Sequence, residues 1–304
     1  MARGEWDFIA WLREKVASDP RLRVGIGDDT AVVTKGSSDL VVTCDMLVEG
    51  VHFDLSQCTP ADVGRKAMNV NLSDIAAMAA HPRWAVVAVA LPRDRGRGLA
   101  EGVYEGLSAA AERFGVTLIG GDTNSTPNGL VVSVTLIGEV TEKGAVLRSG
   151  AKPGDVLCVT GPLGYSLDGK HLAFTPRVRE ALLLHERYEL HAMIDLSDGL
   201  ASDLFHLTDE SGCGAILEAD AIPIRSGPAD DRSPLEHALG DGEDFELLFA
   251  LAEEEAKKLL EEQPLDSSGT HISEVGKATR TSEVLLRSGL RVEPLRREGF
   301  VHRW

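Results

Sequence analysis

Residues 149–155 read SGAKPGD, and this stretch divides the chain. Glycine and proline break the pattern of alternating apolar runs there. On each side the same kind of alternation resumes. Before it, strands are predicted near 31–34, 39–46, 85–91 and 116–119, with a long alternating strand at 130–140. Helices are predicted over 5–18, 71–80 and 99–114, the second closed by His81-Pro82. After it, strands at 156–160, 192–194, 214–218, 244–251, 272–276 and 283–287 alternate with helices at 178–190, 200–210 and 253–262. The stretch 223–240 reads as loop with a short helix. The expectation is a two-domain chain of class α/β (α+β), with domains over 1–148 and 149–304.

Composition narrows the function. The chain has 304 residues, is 43% hydrophobic and carries a formal net charge of −17. Nucleic acid binding depends on Lys and Arg neutralising backbone phosphates, so that class is set aside. Anionic membrane surfaces are disfavoured for the same reason, and no run of 18 apolar residues occurs. The four cysteines have no metal-ligand spacing and read as reduced thiols. With no signal-peptide pattern, the expected compartment is the cytoplasm.

The acids are not scattered evenly. Asp28 and Asp29 lie in GIGDDTAVV, Asp45 in LVVTCDM, Asp74 in VNLSDIAAM, Asp122 in LIGGDTN, and Asp195 and Asp198 in IDLSDGL. Each follows or ends an apolar stretch. Thr43 and Asp45 are two apart and share one face of a strand. Each motif has a plain reading too: Asp198 or Ser197 as a helix N-cap, Asp74 as a solvated helix residue, Asp28-Asp29 as an Asx turn. Together they suggest hard oxygen ligands for several Mg²⁺ ions, bridging carboxylates to a phosphorylated substrate. Packed carboxylates without a cation would repel one another. Glycines at 25, 27, 120, 121, 161 and 164 read as turns whose N–H groups can face an anion, or simply as turns. The P-loop pattern is absent.

Other residues stand out singly. Arg148 is a phosphate clamp by its forked donors or a surface arginine. His52 in VEGVHF is a structural histidine or a ligand contact. Glu243 in DGEDFELLFA must sit bound or solvated at a strand mouth. Trp304 caps a core edge or stacks on a ring.

The stretches GIGDDTAVV, DMLVEGVHF, KAMNVNLSDIAAMAAHP, LIGGDTN, RSGAKPGD, AMIDLSDGLASDL and GEDFELL, in this order, resemble the thiamine-monophosphate kinase family. That family belongs to the aminoimidazole ribonucleotide synthetase superfamily. The resemblance spans about residues 24–250. It implies ATP-dependent phosphorylation of thiamine monophosphate to thiamine diphosphate by direct transfer, with Mg²⁺. It also implies an N-terminal mixed-sheet dimerisation domain, a homodimer, and a C-terminal α/β domain closing the substrate cleft. Carried over by motif, Asp28, Asp45, Asp74, Asp122, Asp195 and Asp198 resemble metal ligands, with Thr43 beside them. Tyr104, Gly121, Asp122, Arg148 and Ser197 resemble nucleotide contacts. His52, Glu243 and Trp304 resemble acceptor contacts. Asp45, Asp122, Asp198 and Arg148 are expected to carry catalysis.

Two departures accompany the match. Met46 stands where the family has Thr. TGPLGYSLDGK replaces TGxLGDSAAG, so Tyr165 replaces an acid, and the following segment is shorter, which predicts a smaller or more open second-domain cleft. Selenophosphate synthesis and hydrogenase maturation need reactive cysteines that residues 1–43 and the HRW end do not carry. Ring-closing synthesis fits VEGVHF and NLSDIAAM poorly.

Overall fold

The computed structural model describes residues 19–36, 38–93 and 95–300. The helix expected at 5–18 and Trp304 lie outside the described residues. The first half begins with β1 (Leu22–Val24), β2 (Ala31–Lys35) and β3 (Ser38–Val48). Helix α1 (Pro60–Ala77) follows, then β4 (His81–Pro92), α2 (Gly96–Arg113), β5 (Thr117–Thr126) and β6 (Val131–Glu139). The strands form one six-stranded sheet in the order β1-β2-β3-β6-β4-β5, antiparallel except for the β4–β5 pair. Both helices pack on one face, because residues such as Val41, Val132, Val134, Leu136 and Ala85 alternate inward. The opposite face leaves Met46, Val86 and Ile119 exposed.

Helix α1 begins eleven residues earlier than the 71–80 prediction. Its start is a capping box: Thr59 accepts the Asp62 N–H, Asp62 accepts the Thr59 N–H, and Pro60 follows the cap. It also stops short of His81-Pro82, which open β4. Its close approach to α2 uses Gly64, where a Cβ would stand 1.9 Å from the Val103 carbonyl oxygen. Strand β5 likewise corrects the sequence reading. Gly120-Gly121 are not a turn, and the strand runs through both to Thr126. Gly121 is required by contact: a Cβ there would lie 2.0 Å from the Val87 oxygen.

The second half contains β7 (Val156–Thr160), α3 (Lys170–Ala173), α4 (Val178–Arg187), β8 (Leu190–Asp195), α5 (Leu200–Ser211) and β9 (Gly214–Glu218). Then come α6 (Pro234–Gly240), β10 (Leu247–Leu251), α7 (Glu253–Glu262), β11 (Ile272–Thr279), β12 (Val284–Ser288) and β13 (Arg291–Pro294). Its seven-stranded mixed sheet runs β13-β12-β9-β11-β7-β10-β8. All of β7 and β10 is buried, because both faces of this sheet are covered. Leu247, Phe249 and Leu251 join an apolar core that continues into α1 and the first sheet. Leu248 and Ala250 face the other way, into a separate core with Leu200, Leu204 and Leu207 of α5.

Among the described residues, no helix is long and apolar enough to cross a membrane.

Candidate active site

Helix α1 stands between the two sheets, and its polar residues explain why. Arg65, Asn69 and Ser73 follow one another at helical spacing and face the second half. Arg65 Nε donates to the Leu172 carbonyl at 3.0 Å, Asn69 Nδ2 to the Phe174 carbonyl at 2.8 Å, and Ser73 Oγ to Asp195 at 2.6 Å. Asn71 and Asp74 turn toward β3. Asn71 Oδ1 accepts the Asp45 N–H at 3.1 Å, and Thr43 donates to Asp74. Thr43 thus orients a carboxylate.

A cavity of about 260 Å³ opens beside this helix. Its lining includes the acids Asp45, Asp74, Asp195, Asp198 and Glu243. Val51, Leu167, Phe245 and Phe300 supply apolar lining. His52 and Ser197 also line it. His52 Nδ1 accepts the Val48 N–H at 3.1 Å, which leaves the ring proton on Nε2.

Carboxylate oxygens of Asp29, Asp74 and Asp195 all lie within 4.8 Å of one another. The sequence reading chose Asp28 of its aspartate pair, but Asp29 enters this triad. Asp28 instead accepts backbone N–H groups, from Asp29 at 3.0 Å and Arg148 at 3.2 Å. Burial pushes Asp28 up to about 6, with the Asp29 charge adding to it. Asp74 is pushed well above the usual carboxylate range by burial, then by Asp45, Asp195 and Asp29. Asp195 is raised likewise by burial and Asp29, against Ser73 and Arg148. Burial raises Asp45 too, against a hydrogen bond with Asp74. The bound counter-charge here is Arg148, whose fork holds Asp29 at 2.9 and 2.8 Å. Hard oxygen donors crowded with so little neutralisation fit a small divalent cation.

Neither Ser197 nor Asp198 caps α5. Its N-cap is Gly199 with no side-chain bond, and Asp203 accepts the N–H groups of Asp198 and Gly199, each at 3.1 Å. Asp198 is therefore turned to the cavity. Asp198, Asp203 and His206 also have atoms within 4.8 Å of one another.

The acids of DGEDFE are anchored. Glu243 and Phe245 have φ of 52° and 49°, a left-handed backbone costing about 1–3 kcal/mol per residue. Their N–H groups donate to Ser197 and Leu196 carbonyls at 2.6 and 2.8 Å. Asp244 accepts the Gly164 N–H, and Glu246 binds Arg177, Lys170 and Thr160. Glu243 meets Lys66 at 2.7 and 2.8 Å. Although burial raises it, His171 and Lys66 hold Glu243 below its ordinary range.

Tyr165 does not line the cavity. Its ring stacks on His237 with centroids 4.0 Å apart, and Leu167 takes the place at the wall. Tyr104, Gly121 and Asp122 are exposed and also lie off the cavity. The row Met46–Ser133–Ala88–Asp122 puts Asp122 three strands from β3, about 14 Å away at normal strand spacing. It also lies on the sheet face opposite Asp45. Sequence reasoning missed Asp29, Lys66 and Phe300. Lys66 shares its motif with Asp74, and its charge on an apolar helix was the available signal.

Two linked mixed-sheet domains with a carboxylate-lined cavity between them define a phosphate-handling enzyme of the AIR synthase related type. The N-terminal domain model of that family matches residues 27–140, and the C-terminal model matches 152–288. The chain is 40% identical to thiamine-monophosphate kinase of Rhodopirellula baltica, over 98% of this chain and 97% of that one. It is 35% identical to the Bacillus subtilis enzyme, over 98% and 99%. Among solved structures, AaThiL complexed with AMPPCP and TMP superposes at a TM-score of 0.83, with 30% identity, covering 98% of this chain and 96% of that one. This chain belongs to the thiamine-monophosphate kinase family and is a kinase.

Proposed function

We propose that the chain transfers the γ-phosphoryl group of ATP directly to thiamine monophosphate, giving thiamine diphosphate and ADP. The observation that carries this reading is the Asp29–Asp74–Asp195 cluster, of which Asp74 and Asp195 line a cavity that also has aromatic lining. The acidic lining suits phosphates only when cations intervene. The apolar lining of Val51, Phe245 and Phe300 suits an aromatic acceptor. The AaThiL complex with AMPPCP and TMP supports both assignments.

In this reading Asp29, Asp74 and Asp195, with Asp28, Asp45 and Asp198 beside them, would hold Mg²⁺. The bound cation supplies charge compensation for two anionic reactants. Arg148 fixes Asp29. Thr43 and Ser73 fix Asp74 and Asp195. An oxygen of the acceptor phosphate forms the new bond to the γ-phosphorus. The bond to the bridging oxygen breaks, and its electron pair leaves on ADP. That acceptor oxygen is already ionised at neutral pH, so no side chain needs to take a proton. The protein's work is positioning and electrostatic stabilisation.

We also infer a homodimer built through the open face of the first sheet. That face carries exposed Met46, Val86 and Ile119 together with Asp122. Apposing two copies there would bring Asp122 to the seam between them. The cytoplasm is the setting in this reading, supported by four unpaired thiols.

The test mixes protein, ATP, Mg²⁺ and thiamine monophosphate and quantifies thiamine diphosphate and ADP, with free thiamine as the comparison acceptor. Equal amounts of both products, formed only with the monophosphate, are expected. ADP without thiamine diphosphate overturns the proposal.

A further inference from the structure

Lys66 has no exposed surface. Lysine is almost never fully buried unless paired. Its ammonium group meets the His52 carbonyl at 2.7 Å, both Glu243 oxygens at 2.7 and 2.8 Å, and His171 Nδ1 at 3.1 Å. Three N–H donors are thus fully used among four acceptors from three separate segments. Lys66 and His52 belong to the first half, and His171 and Glu243 to the second. Glu243 lines the cavity, whereas Lys66 does not.

A merely structural ion pair between domains would need no particular partner. Here the partner is a carboxylate on a left-handed residue at the cavity wall. Free in its segment, the Glu243 side chain has several rotamers open to it. Lys66 holds both of its oxygens and selects one.

We propose that Lys66 is a positioning residue for the acceptor, acting through Glu243. By this reading, which rests on the proposed function of the same cavity, the ammonium group of one domain sets the acceptor-facing carboxylate of the other. The acceptor then meets a wall already formed before it binds, which lowers the cost of ordering it.

The test compares Lys66→Met, Glu243→Gln and the double variant in the full-length protein. Steady-state kinetics with each substrate varied are paired with calorimetric titration of thiamine monophosphate. Lys66→Met is expected to raise the acceptor KM about tenfold, with the ATP KM unchanged. The double variant should be no worse than Glu243→Gln, because the two act as one unit. An unchanged acceptor KM in folded Lys66→Met overturns the inference, as does a parallel rise in both KM values. Should Lys66→Met not fold, the double variant removes both charges and carries the comparison. An acceptor KM equal to that of Glu243→Gln supports the inference, and a further rise overturns it. If the wild type fails to bind thiamine monophosphate, the assignment of the cavity falls and takes this inference with it.

Discussion

Arg148 grips Asp29 through two guanidinium nitrogens, Nε at 2.9 Å and Nη2 at 2.8 Å, while its own backbone N–H reaches Asp28. One side chain from the end of the first half thereby orders the acidic pair that precedes β2. Replacing it with methionine would leave the buried Asp29 without its counter-ion. Loss of one partner of a buried pair costs about 3–5 kcal/mol. Arg148→Met is therefore expected to lower the urea midpoint strongly in the presence of EDTA. Excess Mg²⁺ should recover part of that loss. Equal midpoints for variant and wild type would contradict this account.

The carboxylate triad should make the wild type itself respond to the cation. A ligand bound only by the native state stabilises it by about 2.7 kcal/mol at a hundred times its Kd. Thermal unfolding is expected to shift upward with Mg²⁺ and to remain unmoved by equal ionic strength of Na⁺. A shift that tracks ionic strength alone would reduce the effect to screening.

Asp74→Asn separates stability from activity. It removes a carboxylate that burial, Asp45, Asp195 and Asp29 together push well above its usual range, so the EDTA-treated variant should melt a few degrees higher than wild type. Turnover should fall about a hundredfold or more, as for loss of a principal electrostatic group. A variant that melts lower and turns over normally would exclude this view of the cluster.

Asp244 supplies a pH signature away from the triad. Burial pushes it up to about 6 from 3.8, against Lys170 and the Gly164 N–H. Between those values the native state keeps a proton that the unfolded chain has released. The group therefore costs nothing below about pH 4, and its cost grows until pH passes about 6. The gap corresponds to about 3 kcal/mol. Urea unfolding of Asp244→Asn should match wild type at the acidic end and gain relative to it at pH 8. A difference independent of pH would remove Asp244 as the cause.

Phe300 lines the cavity, and its backbone N–H donates to the Asp198 carbonyl at 3.1 Å. Phe300→Ala is expected to raise the acceptor KM about tenfold, equivalent to ~1.4 kcal/mol, and to spare the ATP KM. A change confined to the ATP KM would move the acceptor elsewhere.

Local signals in the sequence served well where the physics is local. Val156–Thr160, Gly214–Glu218 and Glu253–Glu262 run as their periodicity predicts. The start of α1 was missed although Thr59, Pro60 and Asp62 spell a capping box, because the polar residues Arg65, Lys66, Asn69 and Ser73 hide its apolar stripe. Those residues are polar for a nonlocal reason: they meet the second half. Choosing between Asp28 and Asp29 was beyond any spacing rule, since the choice depends on Arg148, 119 residues away. Gly120-Gly121 looked like a turn because glycine has two uses, and only the nearby Val87 oxygen shows which applies. The tail aromatic at the wall is Phe300, while Trp304 lies outside the described residues.

One apolar interior runs from the first sheet through α1 to Phe249 and Leu251 of the second. The halves thus share a single cooperative unit although each has its own sheet. Severing the chain near residue 148 would bare apolar surface on both pieces, so they should aggregate apart and regain solubility only when refolded together.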